Sequence, residues 1–455
     1  MELRHAPQYQ RRLPGNIYVY IASKQDPLSR KRCRRPLYLI KSCTLLQCFW
    51  GRSMKSVELF AGAGGLAMGC ELAGFKHLAV VEWDKWACDT VRENQKLGFP
   101  LLLDWKLYEG DVRHFDWSSV PEGIELLAGG PPCQPFSMGG KHKANSDSRD
   151  MFPATVEVIR KLKPKAFIVE NVKGLTRKAF SEYFDYIQLQ LCRPELPPQE
   201  NEDWSEHLSR LRLAKDNLAT VDHGLSYSVK ATLVNAADYG VPQKRERVFI
   251  VGFRSDISTD WSFPEPTHSY EALLYDQWVT GDYWRRHGLQ MPEVPLSLAS
   301  KISKIKKSRI NTKPWRTVRD AICDLPDPQG SQSVLVSNHK FQDGAKVYPG
   351  HTGSPLDLPA KTLKAGGHGV PGGENMLVRT DGTVRYFTVR ESARIQTFSD
   401  EFRFHGSWTE TMRQLGNAVP VLLAKTVASS VYRALELAAE SREVVRVERG
   451  EDALV

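Results

Sequence analysis

Two short stretches carry residues whose types and spacing can do chemistry. "GGPPCQPFS" (129–137) fences a single thiol, Cys133, with prolines on both sides and glycines before it. Prolines fix φ and remove backbone donors, so the loop that holds the thiol is stiff. A cysteine that only fills core space needs no such bracket. One thiol on a rigid loop at a ligand cleft is a presented nucleophile. "FAGAGGLAMG" (60–69) is the second stretch. Gly62, Gly64 and Ala67 fit the G-x-G-x-x-G/A turn that lets a ligand approach the backbone. Glu82 stands 20 residues beyond Gly62, where an acid bonds ribose hydroxyls. Phe60, directly before the turn, can pack on an adenine face. Asp111 in "EGDVRHF" (109–115) can accept from an adenine amino group. The turn alone does not separate NAD, FAD and S-adenosylmethionine as ligands.

These residues need elements to hold them. Short runs rich in Val, Ile and Phe read as strands: "VELF" (57–60), "HLAVVEW" (77–83), "IELLAGG" (124–130), "AFIVENV" (166–172), "SVKATLV" (228–234) and "RVFIVGF" (247–253). Helix-period segments such as "KWACDTVRENQK" (85–96) and "MFPATVEVIRKLK" (151–163) lie between them. Alternating strands and helices predict an α/β fold with a parallel sheet covered on both faces. Cys133 then follows a strand at the carboxyl edge, where ligands bind in open α/β sheets. After about residue 254 the alternation stops. Residues 260–385 are rich in Pro, Gly, Trp, His and basic residues and read as a second, irregular domain. Helical patterns return at "TVRESARIQTF" (388–398) and "VPVLLAKTVASSVYRALELAAE" (419–440), before a polar tail.

The chain has 455 residues and a formal net charge of +9. Residues 1–53 carry eleven Lys and Arg against two acids, so residues 54–455 are formally neutral. Nucleic-acid affinity in the main body must therefore come from local basic patches. The eight cysteines form no C-x-x-C pair, which argues against a zinc site, and scattered free thiols fit a reducing cytoplasm. No run of 18 uninterrupted apolar residues marks a membrane span.

Five motifs in order give the chain a resemblance to the DNA (cytosine-5) methyltransferases. "FAGAGG" resembles the family's cofactor loop and "PPCQPFS" its nucleophile loop. "ENV" (170–172) resembles the second catalytic motif, "QKRER" (243–247) the Q-x-R-x-R motif, and "QLGNAVP" (414–420) the final cofactor motif. The resemblance runs over 56–254 and about 386–430. It implies a Rossmann-like methyltransferase sheet with a smaller irregular target-recognition domain. Its divisions would be a catalytic domain at 54–253 and 386–440, recognition at 254–385, and a polar tail at 441–455.

The resemblance also implies the chemistry. Carbon 5 of cytosine is a poor nucleophile, and adding a thiolate at carbon 6 makes the ring an enamine. Cys133 would supply the thiolate. Arg245 and Arg247 are candidates to raise its ionised fraction. Glu170, ending a buried-looking strand, would keep a proton and serve ring nitrogen 3. Arg247 would donate to oxygen 2. S-adenosylmethionine would be the methyl donor, held by Phe60, Gly62, Gly64, Gly65, Glu82, Trp83, Asp111, Val112, Pro132, Asn417 and Val419, with no metal. The base would be flipped out of the duplex, under a lid at 137–150.

The resemblance further implies a monomer acting on double-stranded DNA in the cytoplasm, as the modification enzyme of a restriction-modification system. A cognate endonuclease would act on the same site without a stable complex. A tRNA cytosine methyltransferase would use the same motifs, but the 254–385 stretch favours DNA. A dinucleotide oxidoreductase has no use for "PPCQPFS" with "ENV", and a non-enzymatic DNA binder has none for Cys133 and Glu170. In the second domain, "KISKIKKSR" (301–309) and "PAKTLKAGGHG" (359–369) are candidates for phosphate or base contact. Residues 1–53 match no part of the pattern. They are expected to lie outside the native protein, or else to form a disordered basic arm.

Overall fold

The structure is a computed structural model and describes residues 53–132, 150–216, 224–347, 352–365 and 375–448. Cys133, nearly all of the expected lid, residues 1–52, the last four residues of "PAKTLKAGGHG" and the end of the polar tail lie outside the described residues. A seven-stranded sheet forms the centre. Its strands are β1 (Met54–Leu59), β2 (Phe75–Glu82), β3 (Leu107–Glu109), β4 (Leu126–Gly129), β5 (Ala166–Val172), β6 (Tyr227–Asn235) and β7 (Glu246–Arg254). Their order is β3-β2-β1-β4-β5-β7-β6.

The expected all-parallel sheet needs one correction. β7 runs antiparallel to both β5 and β6, while the other neighbouring pairs are parallel. Only ten residues, 236–245, join β6 to β7. A link that short suits an antiparallel pair, whereas a parallel return needs a crossover of a dozen residues or more. Because β7 is reversed, its first residues stand at the carboxyl edge of its neighbours. Arg247 is the register partner of Val172, and Phe249 that of Glu170.

The central strands read as apolar runs because both faces are covered. Every residue of β4, and all but the last of β5, is buried. One face packs under α1 (Gly65–Ala73) and α12 (Val421–Glu448). The other is covered by α3 (Phe152–Leu162) and α4 (Ser181–Cys192), with α5 (Trp204–Asp216) packed on α4. α2 (Lys85–Lys96) is capped by Asp84, whose side chain accepts from Ala87 N at 2.9 Å. α1 and α12 come so close that a Cβ on Gly69 would stand 2.3 Å from Ala424 Cβ. The stretch Trp408–Arg442 is long and apolar enough for a membrane span by composition, but most of its apolar part is buried, chiefly against this sheet-side core.

The later part of the chain supplies α6 (Tyr270–Trp278), α7 (Asp282–Arg286), α8 (Leu296–Ile305), α9 (Val318–Ile322), α10 (Val389–Ile395) and α11 (Trp408–Asn417). α6, α7 and α8 share their own apolar cluster around Leu273, Trp278, Tyr283, Trp284 and Ile302. Elsewhere in the second stretch the packing is shared. Ile257 and Trp261 join the core beneath α12, and Val318, Ile322 and Leu363 join that of α10 and α11. A capping box at Thr388 and Glu391 starts α10.

Candidate active site

The strand order reverses between β1 and β4, and open α/β sheets form their ligand crevice at such a point. A cleft of about 860 Å³ opens there, at the carboxyl ends of β1 to β5. Twelve of the expected residues line it: Phe60, Gly62, Gly65, Glu82, Trp83, Asp111, Val112, Pro132, Glu170, Arg247, Asn417 and Val419. They come from seven separate turns and element ends, brought together by the sheet.

On one side stands the glycine turn. Phe60 and Gly62 both adopt left-handed backbone, at φ 54° and 55°. For Phe60 this is uncommon and costs strain. A Cβ on Gly62 would meet nothing within 4 Å, so the space beside this backbone is open. Gly65 has the opposite reason to be glycine, since a Cβ there would stand 2.3 Å from Val419 O. The close approach brings the start of α1 against the "QLGNAVP" loop.

Glu82 is fixed by three backbone donors. Its Oε2 accepts from Gly62 N at 2.6 Å, and its Oε1 from Trp83 N at 2.9 Å and Asp84 N at 2.7 Å. Burial nonetheless pushes its carboxyl above the usual range, against the pull of those donors. Asp111 caps a short 3-10 turn and is gripped by Arg113 through Nε at 2.9 Å, which lowers its pKa. Trp83 is 67% exposed, a large apolar face left open at the cleft.

On the other side are Glu170 and Arg247. Arg247 Nε lies 2.9 Å from Glu170 Oε1, and both side chains are buried. Burial raises the Glu170 carboxyl, opposed first by Arg247 and then by Arg245. Asn171 Nδ2 donates to Pro131 O at 2.9 Å and so ties the end of β5 to the double proline. Met151 N donates to Pro132 O at 3.2 Å.

Among the described residues, two expected ones stand outside the cleft lining. Gly64 caps α1 at φ 90°, with Trp105 2.9 Å from where its Cβ would be. Arg245, expected beside the thiol, is fully buried and donates to Leu363 O at 3.0 Å and Gly416 O at 2.6 Å. It works as a strut between "QKRER", the segment after Ala360 and the end of α11.

Sequence reasoning missed several residues of the cleft. Glu58 is buried inside β1, its carboxyl held well above the usual range by burial, and its Oε2 has no hydrogen-bond partner among the described residues. An acid in the apolar run "VELF" was the available signal. Thr362, of the "PAKTLKAGGHG" stretch expected to contact phosphate or base, instead lines the cleft and donates to Lys244 O at 2.7 Å. Gln243 Nε2 donates to Gln396 Oε1 at 2.9 Å, and Gln396 Nε2 donates to Leu415 O and to Ala418 O. This relay joins "QKRER" to "QLGNAVP" and had no local sequence signal.

Comparison with known proteins agrees with this architecture. The sequence pattern of the C-5 cytosine-specific DNA methylase family matches residues 54–192 and 212–433. Type II methyltransferase M.NgoMIV of Neisseria gonorrhoeae is 30% identical over 390 residues, covering 84% of this chain and 98% of that one. Type II methyltransferase M.Eco47II of Escherichia coli is 32% identical over 386 residues, covering 84% and 79%. The structure of the Entamoeba histolytica methyltransferase EhMeth superposes with a TM-score of 0.51 at 13% identity, covering 85% of this chain and 99% of that one, a likeness of fold. With the family pattern spanning both parts of the chain that build the cleft, the chain belongs to the C-5 cytosine-specific DNA methylase family and is a DNA (cytosine-5) methyltransferase.

Proposed function

We propose that the protein methylates carbon 5 of a cytosine in a defined duplex DNA sequence, using Cys133 as a covalent nucleophile on a flipped-out base. The carrying observation is the meeting of Glu170 and Arg247 in a cleft that Pro132, the residue before Cys133, also lines. One acid and one fork of donors side by side suit a ring that gains electron density at nitrogen 3 and oxygen 2.

The cleft fits S-adenosylmethionine on three counts. Glu82 is oriented by backbone donors and keeps acceptor capacity for ribose hydroxyls. The space beside Gly62 is open to a ligand. Glu58 Oε2 is a buried oxygen on the cleft wall with no hydrogen-bond partner among the described residues, which leaves it for a polar group of the ligand. Phe60, Trp83, Asp111, Val112, Asn417 and Val419 would complete the contacts. When bound, the cofactor supplies an electrophilic methyl group.

The protein's own groups do the rest. The Cys133 thiolate would form a bond to carbon 6 as the carbon 5–carbon 6 double bond is lost, and Glu170 would deliver a proton to nitrogen 3. Once carbon 5 carries the methyl group, Glu170 takes that proton back, carbon 5 gives up its own proton to solvent, and the carbon 6–sulfur bond breaks to return the thiolate. Arg247 donates to oxygen 2. A free thiol is only a few per cent ionised at pH 7, so the positive charge of Arg247 near the double proline favours the reactive form. Flipping the base costs a few kcal/mol, recovered from contacts of the protein with duplex and pocket. The type II relatives support a role as the modification enzyme of a restriction-modification system.

The test is methyl transfer from labelled S-adenosylmethionine to duplex DNA and, separately, to tRNA. Label in duplex DNA at one recurring sequence is expected, and label in tRNA alone would overturn the reading. Duplex carrying 5-fluorocytosine at the target should trap the wild type covalently, because fluorine does not leave as a proton does. Cys133→Ala should neither turn over nor be trapped, while still binding duplex. Retained turnover in that variant would remove Cys133 as nucleophile.

A further inference from the structure

A second constellation lies beside the cleft, on residues that the chemistry above does not use. A two-residue parallel ladder pairs His268 with Lys313 and Ser269 with Pro314. The next residues along, Tyr270 and Trp315, therefore stand side by side, with ring centroids 5.3 Å apart and planes inclined at 35°. Trp315 is fixed from below by its Nε1, which donates to Asp238 Oδ1 at 2.9 Å. Lys244, the second residue of "QKRER", holds its ammonium 5.5 Å from the Tyr270 centroid and 5.3 Å from that of Trp315. Lys301 of "KISKIKKSR" lies over Tyr270 from α8, at 4.5 Å.

Arg210, Arg212, Arg254, Arg319 and Arg394 all sit on carboxylates. Lys301 is paired too, with Glu271 at 2.9 Å. Lys244, Lys313 and Arg316 are exposed, and among the described residues no ion pair joins them to a carboxylate. The field of Lys313 and Arg316 is felt locally. The imidazole of His268 is pushed down to about 4, by burial first and then by Lys313 and Arg316. Three unneutralised cations, one of them pinned over two aromatic rings, form a preorganised seat for a polyanion. Lys244 is also bonded through its backbone to the cleft wall, its carbonyl accepting from Thr362 and its N–H donating to Ala360 O at 2.8 Å.

We propose that Lys244, Lys313 and Arg316, arrayed around the Tyr270–Trp315 pair, bind backbone phosphates of the duplex flanking the target cytosine. This rests on the reading of the protein as a duplex-DNA methyltransferase. The contacts carry no base preference, so they fix the register of the duplex over the cleft and leave sequence choice to other groups.

The experiment is the salt dependence of duplex affinity for the whole chain, measured on one DNA with the target sequence and one without it. Each phosphate contact removed should lower the slope of log K against log[salt] by about 0.9. Lys244→Gln, Lys313→Gln and Arg316→Gln should each do so on both DNAs, and the triple variant should lose two to three units of slope. S-adenosylmethionine affinity, read in the same preparations, should stay at the wild-type value and so report an intact fold. Lys165→Gln is the control, because Lys165 precedes β5 at the opposite edge of the sheet and pairs with Glu125. Wild-type slopes in the three variants, or an equal loss in the Lys165 control, would overturn the proposal. Failure of the wild type to bind and methylate duplex DNA would instead overturn the reading beneath it.

Discussion

Arg247 Nε and Glu170 Oε1 face each other at 2.9 Å across the junction of β5 and β7, both withdrawn from solvent. They are diagonal neighbours in the ladder, since Arg247 pairs with Val172 and Glu170 with Phe249. The pair places an acid and a donor fork on the same cleft wall. Removing the Glu170 side chain is costly, because the buried Arg247 guanidinium is then left without its acceptor.

Glu170→Gln should lower the single-turnover rate by at least about a hundredfold, the scale of a positioned general acid. Gln keeps the shape and an acceptor for Arg247 but cannot deliver a proton. Cofactor affinity should change little, because the glycine turn and Glu82 lie on the other wall. A variant with weak cofactor binding and a normal chemical step would show Glu170 to be a cofactor residue.

The pH profile follows from the direction of the Glu170 shift. Burial raises its carboxyl, so the protonated form is present below the raised value and lost as pH climbs through it. Any stability that this protonation contributes is lost in the same direction. The thiolate of Cys133 titrates the opposite way and rises with pH. The single-turnover rate should therefore trace a bell, its acid limb set by Cys133 and its alkaline limb by Glu170. In Glu170→Gln the alkaline limb should vanish from the residual rate, and its persistence would assign that limb to another group.

Arg245→Met should destabilise the protein and weaken cofactor binding together. It removes the donors of Leu363 O and Gly416 O, both buried. A buried carbonyl left unpaired costs about 1–3 kcal/mol. Gly416 precedes Asn417 in the cleft wall, so loss of the strut also frees that wall. Denaturant unfolding with S-adenosylmethionine titration checks both, and a stable variant with normal cofactor affinity would refute the strut.

Two glycines of one turn should respond differently to alanine. Gly65→Ala pushes a Cβ to 2.3 Å from Val419 O, so the "QLGNAVP" loop must retreat and cofactor affinity should fall at least tenfold. Gly62→Ala meets no atom but keeps φ 55°, a strain of about 1–2 kcal/mol. It should lower stability, with a smaller loss of affinity than Gly65→Ala. Calorimetric titration and thermal melts of the two variants separate these costs.

The sequence by itself determined six of the seven strands of the central sheet, the glycine turn and twelve of the residues that line the cleft. Each is announced by a local pattern: an apolar run of strand length, a glycine where the backbone must turn left-handed, an acid at a strand end. "AFIVENV" is β5 residue for residue, because a strand buried on both faces has no choice of composition. Relationships between distant segments have no local pattern. The reversal of β7 depends on the ten-residue link and on pairing with β5, yet it is what brings Arg247 beside Glu170. "QKRER" does not tell which arginine faces the cleft. Arg245 and Arg247 point to the same side of an extended chain, and only Leu363 and Gly416, which lie 118 and 171 residues away, make one of them a strut. The buried carboxyl of Glu58, the Gln243–Gln396 relay and the ring pair beneath Lys244 are likewise products of packing. The tertiary structure decided them because burial and partnership are properties of a place in the fold, and a residue type only permits them.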